Sequence, residues 1–232
     1  MLMNRRFFSG IVMSALAMAL TLPSPAVADD TKEQAALTLV KNIGDEAVKT
    51  LSDASLSEAQ KREKLLSRNF SNFFRFFLPA RQDVYREKFE KFLDDSFDMP
   101  RIGRFVLGQS WRNATETQRE EFLKVFRDFM VASYSDKIGS YSGEDLQIKN
   151  ATSLNDKESL VHSLIVRPDG PPIKLDWRVR KTDNGEKIVD VIIEGLSMAQ
   201  THRSEFASVV SQSGVDGLIE KLKDQIKTAS AS

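Results

Sequence analysis

The chain of 232 residues contains no cysteine and only two histidines. Without cysteine it can form no disulfide, no thiol nucleophile and no cysteine–metal site, so its stability depends on packing. Its glycines do not match the GxxxxGK[ST] or GxGxxG patterns of nucleotide sites, and its histidines and acidic residues lack the clustered spacing of metal ligands. We therefore expect no cofactor and no metal.

The sequence also lacks an excess of basic residues, because 33 lysines and arginines are balanced by 33 acidic residues. Proteins that bind nucleic acid usually show a net or clustered basic charge. The composition therefore argues against a nucleic-acid partner.

Long apolar runs are missing after the first 28 residues, where no stretch approaches the roughly 18 apolar residues that would suggest a membrane span. The N-terminus has the pattern of a signal peptide: Arg5 and Arg6, an apolar run at residues 11–22, and Ala26-Val27-Ala28 as a cleavage site. We expect export to the periplasm and cleavage near Ala28, by the Sec or the twin-arginine route. The mature chain would then have 31 basic and 33 acidic residues.

The first half of the mature chain has the periodicity of amphipathic helices. Helical spacing of apolar residues extends over residues 31–51 and 56–66, and the capping pair Thr115 and Gln118 predicts a long helix to about Tyr141. Between Phe97 and that helix, a further short helix is expected, with a proline in its first turn and a glycine at its C-cap. These two residues are Pro100 and Gly108.

A phenylalanine-rich stretch, NFSNFFRFFLP at residues 69–79, also follows the helical period. We expect its apolar stripe to pack on the next helix, and the alternative is a contact with a membrane or a partner. Phe76 falls outside the stripe. The stripe consists of Leu66, Phe70, Phe73, Phe74 and Phe77, and the next helix contributes Tyr85, Phe89 and Phe92.

After Gly143 the period changes from 3.6 to 2, most clearly where apolar and charged residues alternate over residues 173–180. Further strands are expected at residues 146–148, 160–166 and 188–193, joined by hairpin turns that include Asp183-Asn184-Gly185. Residues 196–210 and 215–226 return to the helical pattern. We predict an α+β fold, with a curved antiparallel sheet of four to five strands and helices on its inner face.

Several separated motifs lie between residues 97 and 219. They are Phe97-Asp98, Arg104-Phe105-Val106-Leu107-Gly108, Trp111-Arg112, the helix with Phe122, Phe126 and Tyr134, Asp190-Val191, Glu194-Gly195-Leu196-Ser197, Arg203 and Phe206, and Gly214 before Leu218 and Ile219. Together these motifs resemble the MlaC family of periplasmic phospholipid-binding proteins, also called toluene-tolerance auxiliary proteins. The resemblance covers roughly residues 89–222, and the hopanoid-associated branch is a variant of it.

This resemblance implies an NTF2-like sheet-and-helix unit with an N-terminal helical subdomain. We expect residues 1–28 to be the signal peptide and residues 29–232 one lipid-carrier domain, helical over 29–143, a sheet over 144–195 and helical again over 196–227. The implied function is a lipid shuttle between an outer-membrane lipoprotein–porin complex and an inner-membrane ABC transporter, with no catalytic residue.

A phospholipid carrier needs a deep apolar pocket for the acyl chains. We expect large apolar side chains that face inward to line it, with Trp111 and Tyr134 near the mouth. The other expected lining residues are Val106, Leu107, Phe122, Phe126, Met130, Leu164, Leu175, Trp177, Val191 and Ile193.

Three alternatives stay open on the sequence alone. The first is an NTF2-like periplasmic enzyme that uses a histidine and a carboxylate, with Asp190, Glu194, His162 and His202 as candidates. The second is a carrier of a different lipid, such as a hopanoid. The third is a lipid-free helical adaptor, which would have no pocket.

Overall fold

The computed structural model describes residues 25–51, 79–138 and 144–230. The cleavage-site region before Pro25, residues 56–66 and the phenylalanine-rich stretch up to Leu78 lie outside the described residues. In chain order the helices are α1 (Pro25–Leu51), α2 (Pro79–Ser96), α3 (Met99–Leu107), α4 (Ser110–Asn113), α5 (Glu116–Ile138) and α6 (Met198–Ser230). No helix of this part of the chain combines the length and apolar character of a membrane span.

In the chain, the sheet follows α5 and precedes α6. It confirms the expected antiparallel meander. Its strands are β1 (Asp145–Asn155), β2 (Glu158–Val166), β3 (Ile173–Thr182), β4 (Gly185–Ile193) and β5 (Leu196–Ser197), in the order β1-β2-β3-β4-β5. Short turns join these strands, and the three turns after β2 each contain a glycine with a positive φ angle, which costs glycine little: Gly170, Gly185 and Gly195.

The helix boundaries follow the local capping signals. Thr115 and Gln118 form the expected capping box, with reciprocal hydrogen bonds of 3.2 and 3.0 Å between side chain and backbone. Asp98 caps α3 by accepting from the Arg101 amide at 3.1 Å, and Gly108 ends α3 with φ +61°. α6 has a kink at Gly214, where φ is +72°, between the two helical segments expected from the sequence.

The inner face of the sheet, defined as the face with Val161, Leu175 and Trp177, is covered by α1. Ala36, Val40 and Ile43 of α1 are buried in the same apolar cluster as these three residues. Lys32 also ties α1 to the β1–β2 hairpin, because its ammonium donates to Ser153 Oγ at 2.8 Å and to the Asn155 carbonyl. α1 is therefore an integral layer of the fold.

Strand β4 departs from simple alternation. The register pairs Arg178 with Asp190 but Val179 with Ile188, so Val189 is an extra residue and forms a β-bulge. Strict alternation would place Ile188 and Asp190 on the same face of the sheet. The bulge corrects this: Ile188 is buried in the inner-face cluster, whereas Asp190 lies on the outer face beside Arg178.

The start of α6 also differs from the expectation. Leu196 and Ser197 pair with Ile193 and Ile192 as strand β5, and the helix begins two residues later than predicted. A tight turn forces this arrangement, since Glu194 and Gly195 both adopt positive φ angles and reverse the chain.

Candidate functional site

Two apolar layers form the interior of the protein. The first, called here the sheet cluster, joins α1 to the inner face of the sheet through residues such as Val40, Val161 and Trp177. The second, the helical cluster, joins α3, α5 and α6 through residues such as Val106, Phe126 and Leu218. A small third cluster joins α2 to α5 through Phe89, Leu93 and Val131.

Phe97 lies where these layers meet and packs against all three clusters. Its position is fixed by the backbone, because Phe97 forms a bridge with Ile188 and the Asp98 amide donates to the Ile188 carbonyl at 3.0 Å. The apolar interior is therefore continuous from the sheet to the helices. Phe97 belongs to the first motif of the sequence, but its apolar ring was not among the predicted lining residues.

Aromatic rings dominate the helical cluster. Phe122 and Phe126 stack with 5.7 Å between ring centroids, and Phe206 of α6 meets both edge-on at 6.2 and 6.0 Å. Phe206 was not among the predicted lining residues. The helical spacing of His202, Phe206 and Val210 could have indicated an inward-facing stripe there.

Trp177 points inward, as its strand position predicted. The side chain is buried and its indole N–H donates to Ser163 Oγ at 3.0 Å, while that hydroxyl donates to the Leu175 carbonyl at 2.5 Å. The polar tip of the tryptophan is thus satisfied inside an apolar layer. An unsatisfied N–H there would destabilise the fold.

The predicted lining residues divide between the clusters. Val106, Leu107, Phe122 and Phe126 are buried in the helical cluster, with Trp111 and Met130 packed against it. Leu175 and Trp177 are buried in the sheet cluster, with Val191 against it. Tyr134 packs on the third cluster.

Two predicted lining residues are not inside. The register pairs Leu164 with Lys174, whereas Val161 pairs with Trp177, so Leu164 lies on the outer face and not on the inner one. β2 has apolar residues on both faces, and alternation alone could not choose between them. The strand register places Ile193 on the inner face, but its side chain is 38 % exposed because it lies at the end of β4, beside the turn to β5.

The two histidines considered for catalysis have separate structural partners. His162 Nδ1 lies 3.1 Å from Asp176 Oδ1, and His202 lies 3.3 Å from both the Tyr134 hydroxyl and Glu205. Burial raises the pKa of Tyr134 above its ordinary value, with a smaller contribution from the charge of Glu205. These residues do not form one constellation.

The carboxylates Asp190 and Glu194 support turns. Asp190 accepts from Ser197 Oγ at 2.5 Å and from the Ala199 amide at 3.0 Å, at the start of α6. Glu194 accepts from the Lys174 amide at 2.6 Å. Within the described ranges, no group of three or more histidine, aspartate or glutamate side chains is arranged to hold a metal ion.

Arg203, one of the motif residues, contacts an aromatic residue of α3. Its guanidinium lies over the Phe105 ring, 4.8 Å from the centroid, and donates to the Phe105 carbonyl at 3.4 Å. Arg203 therefore links α6 to α3.

Glu158 is the most strongly held carboxylate on the outer face. It accepts from Arg178 at 2.6 and 2.9 Å and from Arg180 at 2.6 Å. Burial alone would raise the pKa of Glu158, but the hydrogen bonds and charges of the two arginines outweigh it and hold the pKa below its ordinary value.

The sequence model of the MlaC protein family matches residues 77–224. The chain belongs to the MlaC family. The match includes α2 to α5, the whole sheet and most of α6, and it contains every predicted lining residue. α1 lies outside the matched range.

One curated protein and one solved structure are similar to this chain. The chain is 29 % identical over 125 residues to the intermembrane phospholipid transport system binding protein MlaC of Haemophilus influenzae, an alignment that covers 52 % of this chain and 58 % of that protein. It shares its fold, with a TM-score of 0.61 and 22 % identity, with a phospholipid-binding protein of Ralstonia solanacearum solved in complex with a phospholipid. That likeness covers 86 % of this chain and 98 % of the other.

Proposed function

We propose that this protein is a periplasmic phospholipid carrier whose continuous apolar interior receives the acyl chains. The observation that supports this most directly is the family match over residues 77–224, since it contains all the apolar residues proposed to line the pocket. The proposed lining excludes Leu164 and Ile193, and it adds Phe97 at the junction of the clusters.

Transfer energetics explain why such a carrier is needed. A diacyl lipid has roughly 30 methylene groups, and at about 0.8 kcal/mol each the gross cost of exposing them to water is about 24 kcal/mol. Ordering costs and incomplete burial bring the real affinity below the practical ceiling of noncovalent binding. Release into water would still be slow, so a carrier must exchange its lipid while docked.

The partners we propose are an outer-membrane lipoprotein–porin complex and an inner-membrane ABC transporter. The support is the transport-system name of the Haemophilus relative, of which the aligned region spans 58 %. The transporter would supply the energy for net transport. We propose no catalytic role, because the candidate histidines and carboxylates are engaged separately in the fold.

The test begins with protein purified without detergent, followed by native mass spectrometry and lipid extraction. We expect about one glycerophospholipid per chain, or refilling from phospholipid vesicles if the lipid is lost. Protein that stays empty after both steps would refute the carrier function. A sterol-like lipid such as a hopanoid would refute the phospholipid assignment.

Substitution of Trp177 tests the position of the pocket. We expect Trp177→Glu to abolish lipid loading, because it places an unpaired charge among the apolar residues of the sheet cluster. Leu154→Glu is the matched control, since Leu154 lies in the same sheet but is 45 % exposed. Circular dichroism verifies folding, and a folded Trp177→Glu variant with normal loading would refute the assignment.

A further inference from the structure

A concave site lies on the outer face of the sheet and shares part of its wall with the helical cluster. It is a cleft of about 570 Å³ between the outer face of β2 to β4 and the elements α3, α4 and the start of α6. Six arginines line it, against two carboxylates, Glu158 and Asp190. The arginines are Arg101, Arg104, Arg112, Arg178, Arg180 and Arg203.

The positive charge of this cleft is a local feature, because the whole chain is neutral. Arg178 and Arg180 share the single carboxylate of Glu158, which neutralises one of them. Arg101 pairs with Asp98 at 2.9 Å. Asp190 also carries a negative charge, and its oxygens accept from Ser197 and Ala199 at the turn into α6.

The remaining arginines have no acidic partner. Across the described ranges, no carboxylate lies within ion-pair distance of Arg104, Arg112 or Arg203. Arg203 is held in place by the ring and carbonyl of Phe105, so its guanidinium is ordered without being neutralised. Such preorganised cations lower the cost of binding an anion.

The shape and lining of the cleft favour an anion with an organic part. Its volume lies in the range of small-molecule sites, which is about 300–1,000 Å³. Ile102, Ala199 and Trp111 also line it, and each belongs to the helical cluster or packs against it, so part of the wall is apolar. Guanidinium groups match the oxygens of a phosphate by paired hydrogen bonds.

We propose that this cleft is a binding site for a phosphate ester, adjacent to the interior proposed for acyl chains. The phosphate would bind Arg104, Arg112 and Arg203, and the ester's organic part would contact the apolar wall. Both the headgroup of a phospholipid in a membrane and a soluble phosphate ester have this chemistry. The site does not depend on the carrier function, since binding here requires no acyl chain.

The first measurement uses sn-glycerol 3-phosphate as the soluble probe and glycerol as the uncharged control, by calorimetry on the purified mature protein. The second uses vesicles of phosphatidylglycerol and, as a phosphate-free control, vesicles of digalactosyldiacylglycerol. Binding of the soluble ester and of the phosphatidylglycerol vesicles supports a site open to both sources. Binding of the vesicles alone assigns the membrane headgroup, and binding of the ester alone assigns a soluble ligand.

The double variant Arg104→Gln/Arg112→Gln tests whether the cleft is responsible. We expect at least a tenfold loss of affinity for whichever probe binds. Lys124→Gln/Lys221→Gln removes the same charge from two exposed positions on α5 and α6 and should leave the affinity within twofold. If the double variant does not fold, Arg104→Lys replaces it. Lysine keeps the positive charge but cannot form the paired hydrogen bonds of a guanidinium, so we expect a severalfold loss of affinity for the probe.

Three results would overturn the proposal. One is that neither probe binds more tightly than its control. Another is unchanged affinity for the probe in a folded Arg104→Gln/Arg112→Gln variant. The third is an equal loss in the Lys124 and Lys221 control, since this would indicate attraction by overall charge and not by the cleft.

Discussion

Truncation of Phe126 offers the sharpest test of the helical cluster. The side chain is fully buried, stacks on Phe122 and meets Phe206 edge-on. A phenylalanine removed from a core usually costs about 3–5 kcal/mol, and the cost is greater where neighbours cannot move into the cavity. Here one wall is backbone, because Gly103 of α3 lies against the ring: a Cβ built on it would lie 3.6 Å from Phe126 Cδ1. We therefore expect Phe126→Ala to cost about 4–5 kcal/mol.

The matched control is Phe105→Ala, which truncates the same residue type on α3. Phe105 is 42 % exposed and its ring contacts Arg203, so its loss should cost less than about 1 kcal/mol. Urea unfolding followed by circular dichroism gives both free energies. The protein must be delipidated, because a bound ligand adds stability that depends on its concentration.

The comparison with and without lipid separates packing from ligand contact. If Phe126→Ala costs less than about 1.5 kcal/mol in delipidated protein, or no more than Phe105→Ala, the packed helical cluster is refuted. A cost that arises only after reloading with lipid would make Phe126 a lining residue with no structural role.

Two further predictions concern a charge and a helix cap. The pKa of Glu158 lies below its ordinary value of about 4.3, so its stabilising effect is present above that pH and is lost as the pH falls through the lower folded value. Glu158→Gln should therefore be less stable than the original protein at pH 7, with a difference in unfolding free energy that shrinks towards pH 3; a pH-independent difference would contradict this. Thr115→Ala should cost about 1 kcal/mol by removing the capping box of α5, and Thr115→Ser, which keeps the hydroxyl, should cost much less in thermal denaturation.

Most of the sheet could be predicted from the sequence because its signals are local. Alternation over β3 and the turn at Gly185 specify a strand and a hairpin without reference to the rest of the chain. The capping box at Thr115 and the glycine at Gly214 likewise fix helix boundaries through short-range hydrogen bonds and backbone angles.

What the sequence could not supply depends on register and on contacts between distant segments. The face of Leu164 follows from its pairing with Lys174, and both faces of β2 offer apolar residues. The basic cleft is similarly hidden, because Arg104 and Arg203 come from segments far apart in the chain and the net charge is zero. Buried apolar residues were easier to predict, but their pattern is the same for a core and for a pocket, so that the lining stays a prediction.

The bulge at Val189 lets β4 present residues two positions apart on opposite faces of the sheet. With this extra residue, Ile188 enters the sheet cluster while Asp190, two positions later, holds the start of α6 on the opposite face. Deleting Val189 would make Ile188 and Asp190 neighbours, and simple alternation would then keep each of them opposite its present partner on β3. Deleting Val191 instead would reverse the face of the residues on one side of the gap, because the strand could not keep Ile188, Asp190 and Ile193 all in place. Length changes in β4 should thus be tolerated at the bulge and poorly tolerated next to it.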